Sequence, residues 1–153
     1  MQIFARSATE SDGEVLELLE TEARSGLDHF RGGTRLADDM DLDGTEWSIY
    51  LADDSIKIFV AGTNEVVMGY LLARVGKAKS GAIATIERVF VTKDARNFGI
   101  GDALVTAIID WAKSVSLVAL DGLALPGDRE TKNLYERSGL VARLITVTIN
   151  LKV

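Results

Sequence analysis

Arg96-Asn97-Phe98-Gly99-Ile100-Gly101 is the stretch of this sequence best suited to chemistry. It follows a short apolar run, Val89-Phe90-Val91, and the polar link Thr92-Lys93-Asp94-Ala95. It precedes Asp102 to Val115, whose apolar spacing predicts a helix. A glycine turn that opens into a helix presents first-turn N–H groups with no intrahelical partner, at the positive end of the macrodipole. Two glycines let a ligand's oxygens approach the backbone with no Cβ in the way, and a phosphate suits such a cradle. The same residues also read as an ordinary strand-to-helix turn, and on their own they do not decide between the two.

Other residues with chemical potential are few. The absence of cysteine excludes disulfides, thiolate metal sites and a cysteine acyl-enzyme. His29 is the only histidine, so no metal site is expected; it reads as a loop residue or as part of a pocket wall. Asp39-Met40-Asp41-Leu42-Asp43-Gly44 copies the first half of a calcium-binding loop. The copy fails at its twelfth position, Tyr50 in place of a bidentate glutamate, and at its eighth, Glu46 in place of an apolar residue. It reads as a solvated acidic loop whose charge also suits an amine.

The elements that must position the turn follow from periodicity. Gln2 to Ala5 reads as a strand, and Gly13 to Arg24 as a helix capped by Thr9 or Ser11, with Val15, Leu18 and Leu19 on one face. Asp28 to Met40 is a weaker helical piece, and from Trp47 the period changes to two. Ile56 to Ala61 and Val66 to Val75 read as strands joined at Gly62-Thr63-Asn64. Ala82 to Val91 is a third, with Ile83, Thr85, Glu87, Val89 and Val91 expected on one face and Ala84, Ile86, Arg88 and Phe90 on the other. Behind the turn, Ala103, Leu104, Ala107, Ile108 and Trp111 share a helix face, and Leu117 to Leu125 returns as a parallel strand. Asp128 caps a helix over Arg129 to Ser138, closed by Gly139, and Leu144 to Val153 alternates strictly as a final half-buried strand. The fold class is α/β (α+β mixed): a mixed sheet with an antiparallel N-terminal half, one parallel strand-helix-strand crossover and about four helices.

At 153 residues with 47% apolar composition, one domain over 1–153 is expected, with a core of its own. A net charge of −6 argues against nucleic acid and suits a cationic partner. No apolar run is long enough to span a membrane and no signal-peptide layout opens the chain, so a cytoplasmic protein is expected.

Val89-Phe90-Val91 before Arg96-x-x-Gly99-x-Gly101, answered by Asn133-Leu134-Tyr135-Glu136-Arg137-Ser138-Gly139-Leu140, resembles the general N-acetyltransferase superfamily, GNAT, over essentially the whole chain. The resemblance implies that Asn97, Phe98, Gly99, Ile100, Gly101 and Asp102 wrap the pyrophosphate of acetyl-CoA. It also implies that the main chain of Val89, Phe90 and Val91 pairs with the pantetheine arm, lying between two strands that splay apart. Arg96 would support the turn or the phosphates. Lys93 and Lys132 would serve the 3′-phosphate end, or be plain surface cations.

For catalysis the resemblance implies the Val89 N–H at the thioester oxygen, Tyr135 as general acid toward the sulfur, and Glu87 as general base for the amine. Tyr135 has the alternative of packing only, and Glu87 that of pairing with Arg74 or Arg88. Thr85 stands where the histone-modifying branch carries its base, which disfavours that branch. Asp128 replaces an asparagine common in the family, and only thirteen residues follow Leu140, so the acceptor pocket is open or completed by a second subunit of a homodimer. The implied function is transfer of acetyl from acetyl-CoA to a primary amine by direct attack in a ternary complex, without metal, nucleic acid or membrane. The alternative is a non-catalytic acyl-CoA-binding module.

Overall fold

Alternating apolar residues and tight links make residues 56–91 a three-strand meander, here in a computed structural model that describes residues 2–39 and 47–152. β2 (Ile56–Thr63), β3 (Val66–Ala78) and β4 (Gly81–Val91) pair antiparallel. Asn64 and Glu65 form the first link, both at positive φ (49° and 69°), the twist that a two-residue hairpin loop requires. β1 (Ile3–Ser7) adds antiparallel to β2, and β5 (Ala119–Gly122) adds parallel to β4, giving the order β1-β2-β3-β4-β5. Between β4 and β5 runs α4 (Ile100–Ser114), the crossover helix.

Two cores form, one on each face of the sheet. Leu71, Ala73, Ala84 and Ile86 pack with Leu104, Val105 and Ile108 of α4 and with Leu134 and Tyr135 of α5 (Arg129–Arg137). On the opposite face, Ile58, Val60, Tyr70 and Leu72 meet Leu16 and Leu19 of α1 (Gly13–Ser25) and Trp47 of α3 (Trp47–Ala52). Before α3, a 3₁₀ turn at Leu27–His29 leads into α2 (Gly33–Asp39). A sheet covered on both faces leaves its two edge strands, β1 and β5, as its open sides.

Several expectations change, the hairpin link among them: Gly62 and Thr63 belong to β2, and Asn64-Glu65 make the turn. Leu18 does not join the core: it is 71% exposed, and Leu16 takes the inward position beside Leu19. Trp47 opens a helix and not a strand, because Trp47 and Tyr50 lie one turn apart and their rings meet edge-on at 6.0 Å, with Trp47 also against Tyr70 at 5.7 Å. There are five α-helices among the described residues, α2 within the weaker helical piece and α3 where a period of two was read. The final strand is absent, since residues 141–152 carry no helix or strand. Alternation specifies a strand only where an edge and an apolar face receive it. The calcium-like run from Asp39 to Gly44 lies, beyond Asp39, outside the described residues.

α1 is held to its neighbours by charge as well as packing. Asp12, just before it, takes both Arg6 guanidinium nitrogens at 2.8 and 2.9 Å and accepts the Thr9 N–H at 2.7 Å. Further along, Glu20 lies 3.4 Å from Arg88 of β4, with side chains only 5% and 12% exposed. Burial pushes the Glu20 carboxyl up to about 7, against the pull of the Arg88 and Arg24 charges. A carboxyl with a raised folded pKa keeps its proton while the unfolded chain loses it, so stability falls as pH rises from about 4.5 to 7. Glu20→Gln is therefore expected to flatten the thermal midpoint between pH 5 and 7.5, recovering up to about 3 kcal/mol at the upper end by the linkage relation. Calorimetry of both proteins across that range checks it, and an unchanged slope contradicts it.

Candidate active site

The register between β3 and β4 slips by one residue. Leu72 faces Arg88 while its neighbour Ala73 faces Ile86, so Glu87 is an extra residue with no partner across the ladder. This bulge corrects the alternation expected from sequence. Glu87 points to the α1 face, where its carboxylate meets Arg74 Nε at 3.2 Å, and Arg88 and Phe90 follow on the same face. Val89 and Val91 turn to the α4 face with Ile86. Glu87 and Val89 thus stand on opposite faces of the strand.

The slip also reverses which backbone groups face which neighbour. Ahead of it, the carbonyls of Ala82 and Ile86 accept from Val118 and Leu123 on the β5 side. Beyond it, the Thr92 N–H donates to Met68 of β3, so even-numbered residues now face β3. The N–H and C=O of Val89 and Val91 consequently face the β5 side, where Arg96 Nε donates to the Val91 carbonyl at 3.0 Å. β5 does not follow: its pairing with β4 ends at Ile86 and Gly122, while β4 runs on to Val91. A gap opens there with main-chain donors and acceptors along one wall.

At the far end of that wall lies the glycine turn. Lys93–Ala95 make a 3₁₀ turn, then Asn97 and Gly99 adopt φ of 68° and 89°, and α4 begins at Ile100. The first helical bond is Ala103 N–H to the Gly99 carbonyl at 3.0 Å, which leaves the N–H groups of Ile100, Gly101 and Asp102 ahead of the ladder. Gly99 is required by its dihedral. Gly101 has a different use, since a Cβ there would lie 3.2 Å from Leu134 Cδ2; its hydrogen lets α4 and α5 approach. Arg96 braces the turn, bonding Val91, pairing with Glu130 at 3.2 Å and standing 5.4 Å over the Phe90 ring. Asp102 pairs with Arg137 of α5 at 3.2 Å. Phe98, Asn97, Lys93 and Lys132 are exposed around it.

Tyr135 lies where the two strands part. Its ring crosses β5 at Gly122, and its hydroxyl donates to the Leu123 carbonyl at 2.9 Å, while the Leu123 N–H donates to Ile86 at 3.1 Å. Burial, with the Asp128 carboxylate adding to it, holds the phenol well above its usual pKa. Such a group stays neutral and acts as a hydrogen-bond donor. Asp128 itself caps α5 by accepting from the Thr131 N–H and hydroxyl at 3.1 and 2.8 Å. The bulge, the gap, the turn and Tyr135 are therefore contiguous, whereas exposed His29 sits in the turn between α1 and α2. No group of three or more metal-binding side chains occurs among the described residues, and no helix there is long and apolar enough to cross a membrane.

Two residues of this region escape a reading of motifs. Glu22 of α1 accepts from the Thr92 hydroxyl at 2.7 Å and the Lys93 N–H at 3.1 Å, tying α1 to the end of β4. Gly122 is the other; a glycine inside a short strand was its only signal, one that marks close approach.

A mixed sheet parted beside a glycine turn and a closing helix defines an acyltransferase-type fold, and the sequence agrees. Residues 15–140 match the family model described as the acetyltransferase (GNAT) family, and the chain belongs to that family. Among solved structures, it is similar to the aminoglycoside N-acetyltransferase AAC(6')-Iy in complex with the bisubstrate analogue CoA-S-monomethyl-acetylneamine: TM-score 0.77, 16% identity, 100% of both chains covered. A ribosomal-protein-alanine N-acetyltransferase from Brucella melitensis biovar Abortus 2308 has TM-score 0.76 and 16% identity, over 99% of this chain and 100% of that one. A transcriptional regulator from Bacillus halodurans C-125 has TM-score 0.75 and 22% identity, over 98% and 100%. At such identities the likeness is one of fold. A search of curated proteins finds no match.

The Tyr135 position depends on Gly122, because a Cβ there would lie 2.8 Å from the ring Cζ. Gly122→Ala is expected to cost about 1–3 kcal/mol, as overpacking does, and to lower the thermal midpoint. Combining it with Tyr135→Leu should relieve most of that loss in a double-mutant cycle. Additive losses would show that the ring and Gly122 do not constrain each other.

Proposed function

We propose that this chain transfers an acetyl group from acetyl-CoA to a primary amine by direct attack within a ternary complex. The observation that carries this reading is the gap beyond Ile86 and Gly122, walled by the backbone of Val89 and Val91 and ending at the start of α4. Its shape and polarity suit a long, thin donor with an amide-rich arm and a diphosphate. Val89, Phe90 and Val91 would hold the arm. The turn from Asn97 to Asp102 would hold the pyrophosphate through main-chain N–H groups, with Arg96 keeping the turn in shape and Lys132 near the outer end. Acetyl-CoA supplies an activated acetyl group, and the protein's task is to place an amine against it.

Placement is the largest contribution this site can make, about 7–11 kcal/mol when two reactants are held in attack geometry. The Val89 N–H, aimed into the gap, would add a donor at the carbonyl oxygen worth about 2.7–4 kcal/mol. As the amine nitrogen bonds to the acetyl carbon and the carbon–sulfur bond breaks, Glu87 would take the amine proton, directly or through water. Tyr135 would donate a hydrogen bond to the departing thiolate. Its raised pKa makes full proton transfer to the thiolate, whose conjugate thiol is ordinarily near 8.5, uphill; stabilisation of the sulfur anion is the role the phenol suits, and the thiolate takes its proton from water as it leaves. Net negative charge over the chain favours a cationic acceptor. Amines of the kinds named for the structural neighbours, aminoglycosides and ribosomal-protein alanine, head the panel of acceptors to test.

A second reading, a non-catalytic acyl-CoA-binding module, draws on one observation: both candidate groups already have partners, Glu87 with Arg74 and Tyr135 with Leu123. Thiol release from acetyl-CoA against aminoglycosides, polyamines and peptides with free N-terminal alanine separates the two. Turnover on at least one amine is expected, with Tyr135→Phe and Glu87→Gln each lowering kcat by about 100-fold or more while transfer above background persists. Gly99→Val should raise the KM for acetyl-CoA about tenfold, because a β-branched residue is strained at φ 89°. Tight coenzyme binding without turnover on any amine would favour the binding module.

A further inference from the structure

The chain enters the glycine turn through Thr92 and Lys93, and a side chain from a distant element holds both. One carboxylate oxygen of Glu22, on α1, accepts from the Thr92 hydroxyl at 2.7 Å, and the other accepts from the Lys93 N–H at 3.1 Å. Thr92 stands at the cap position of the 3₁₀ turn Lys93–Ala95, yet its own side chain makes no capping bond to that turn. The oxygen that receives the turn's first N–H comes instead from a helix 71 residues earlier in the chain. A tertiary contact here does what a local capping side chain ordinarily does.

Glu22 lies in the last turn of α1, where the macrodipole disfavours a carboxylate. The two donors from the end of β4 offset that cost. Leu19, one turn earlier on the same helix face, is buried, and Glu20 meets Arg88 of β4 at 3.4 Å, so α1 is already fixed on the sheet where Glu22 projects from it. The entry to the turn is therefore held from three directions. Arg96 Nε bonds the Val91 carbonyl at 3.0 Å, the Thr92 N–H bonds Met68 of β3 at 2.8 Å, and Glu22 holds the Thr92 hydroxyl and the Lys93 N–H from α1. Of the three, only Glu22 reaches beyond Thr92 to the first residue of the 3₁₀ turn.

We propose that Glu22 is a positioning residue for coenzyme binding: by fixing Thr92 and Lys93 it sets the course of the turn, so that Asn97 to Asp102 present their main-chain N–H groups to the diphosphate. This rests on the reading of that turn as the diphosphate seat. Glu22 acts through the turn and not on the reacting atoms. Its carboxylate has two effects of opposite sign on an anionic ligand. The charge repels phosphate, and solvent screens that repulsion; the two hydrogen bonds, strengthened by the same charge, order the main chain that binds it. The second effect outweighs the first, and the sign of the change on truncating Glu22 separates them.

Calorimetric titration with coenzyme A, acetyl-transfer kinetics and hydrogen exchange of the Lys93 amide test it. Glu22→Ala is expected to raise the Kd for coenzyme A and the KM for acetyl-CoA about tenfold, with kcat on any amine that turns over kept within about twofold. Its Lys93 amide should exchange about tenfold faster or more, while the Thr92 amide, bonded to β3, keeps its protection and reports an intact sheet. Thr92→Val, which removes one of the two donors, should weaken coenzyme binding in the same direction by a smaller factor. Glu22→Gln keeps an acceptor for the Lys93 N–H and a donor for the Thr92 oxygen, and should restore the Kd to within about threefold of wild type. Unchanged or tighter coenzyme binding by Glu22→Ala would overturn the proposal, as would a Glu22→Gln variant as weak as the alanine one, or a loss of kcat at constant KM. Failure of the wild-type protein to bind coenzyme A at all would overturn the diphosphate reading itself, and this inference with it.

Discussion

One extra residue in β4 governs the whole site. Because Glu87 has no partner on β3, every residue after it exchanges its neighbour: Val89 and Val91 turn their main chain toward β5 while their side chains join the α4 core. Without the slip those groups would be spent on β3, and the main chain of Arg88 and Phe90 would face the β5 side in their place. A strand cannot alter this locally, since the period of two carries any change of register to its end. The same slip puts Glu87 and Arg88 side by side on the α1 face, where each meets an opposite charge.

What keeps the gap open is a set of close approaches, none of which tolerates much substitution. Tyr135 lies across Gly122 and bonds the carbonyl of the next residue, which turns β5 aside as soon as its pairing ends. Gly101 lets α4 come against α5, and Asp102 with Arg137 closes the same contact from outside. Arg96 serves the turn chiefly as a brace, bonding Val91, Glu130 and the Phe90 ring. A guanidinium with five donors can satisfy several acceptors at fixed angles, which a lysine cannot do. The unpaired N–H groups at the start of α4 belong to the main chain, and the side chains of the turn hold its shape.

The α1 face of β4 is built by different parts. α1 reaches over β4 through Glu20 with Arg88 and Glu22 with Thr92, so this face of the strand is charged and partly buried. Burial of Glu20 disfavours its ionised form, and this polar layer between α1 and the sheet therefore responds to pH where the apolar α4 face does not. The two faces of one strand thus differ in kind: dry packing under α4, and polar groups under α1.

Much of this was legible in sequence. The order of strands, the crossover and the helix behind Arg96 to Gly101 follow from local periodicity and from glycine at positions where φ is positive, signals that neighbours along the chain carry by themselves. Asp128 as a cap and Gly139 as a stop are equally local. Three features were decided only by the tertiary structure. The bulge leaves no mark in alternation, since it exists only against the register of β3. Glu87 could pair with Arg74 or with Arg88 on sequence grounds, and the slip selects Arg74. The C-terminal segment has the pattern of a strand, yet a strand forms only by pairing, and residues 141–152 make no backbone hydrogen bond to either open edge of the described sheet. Sequence determined the elements because their periods are local; tertiary structure decided the faces, the gap and the C-terminal segment because each requires a partner across space.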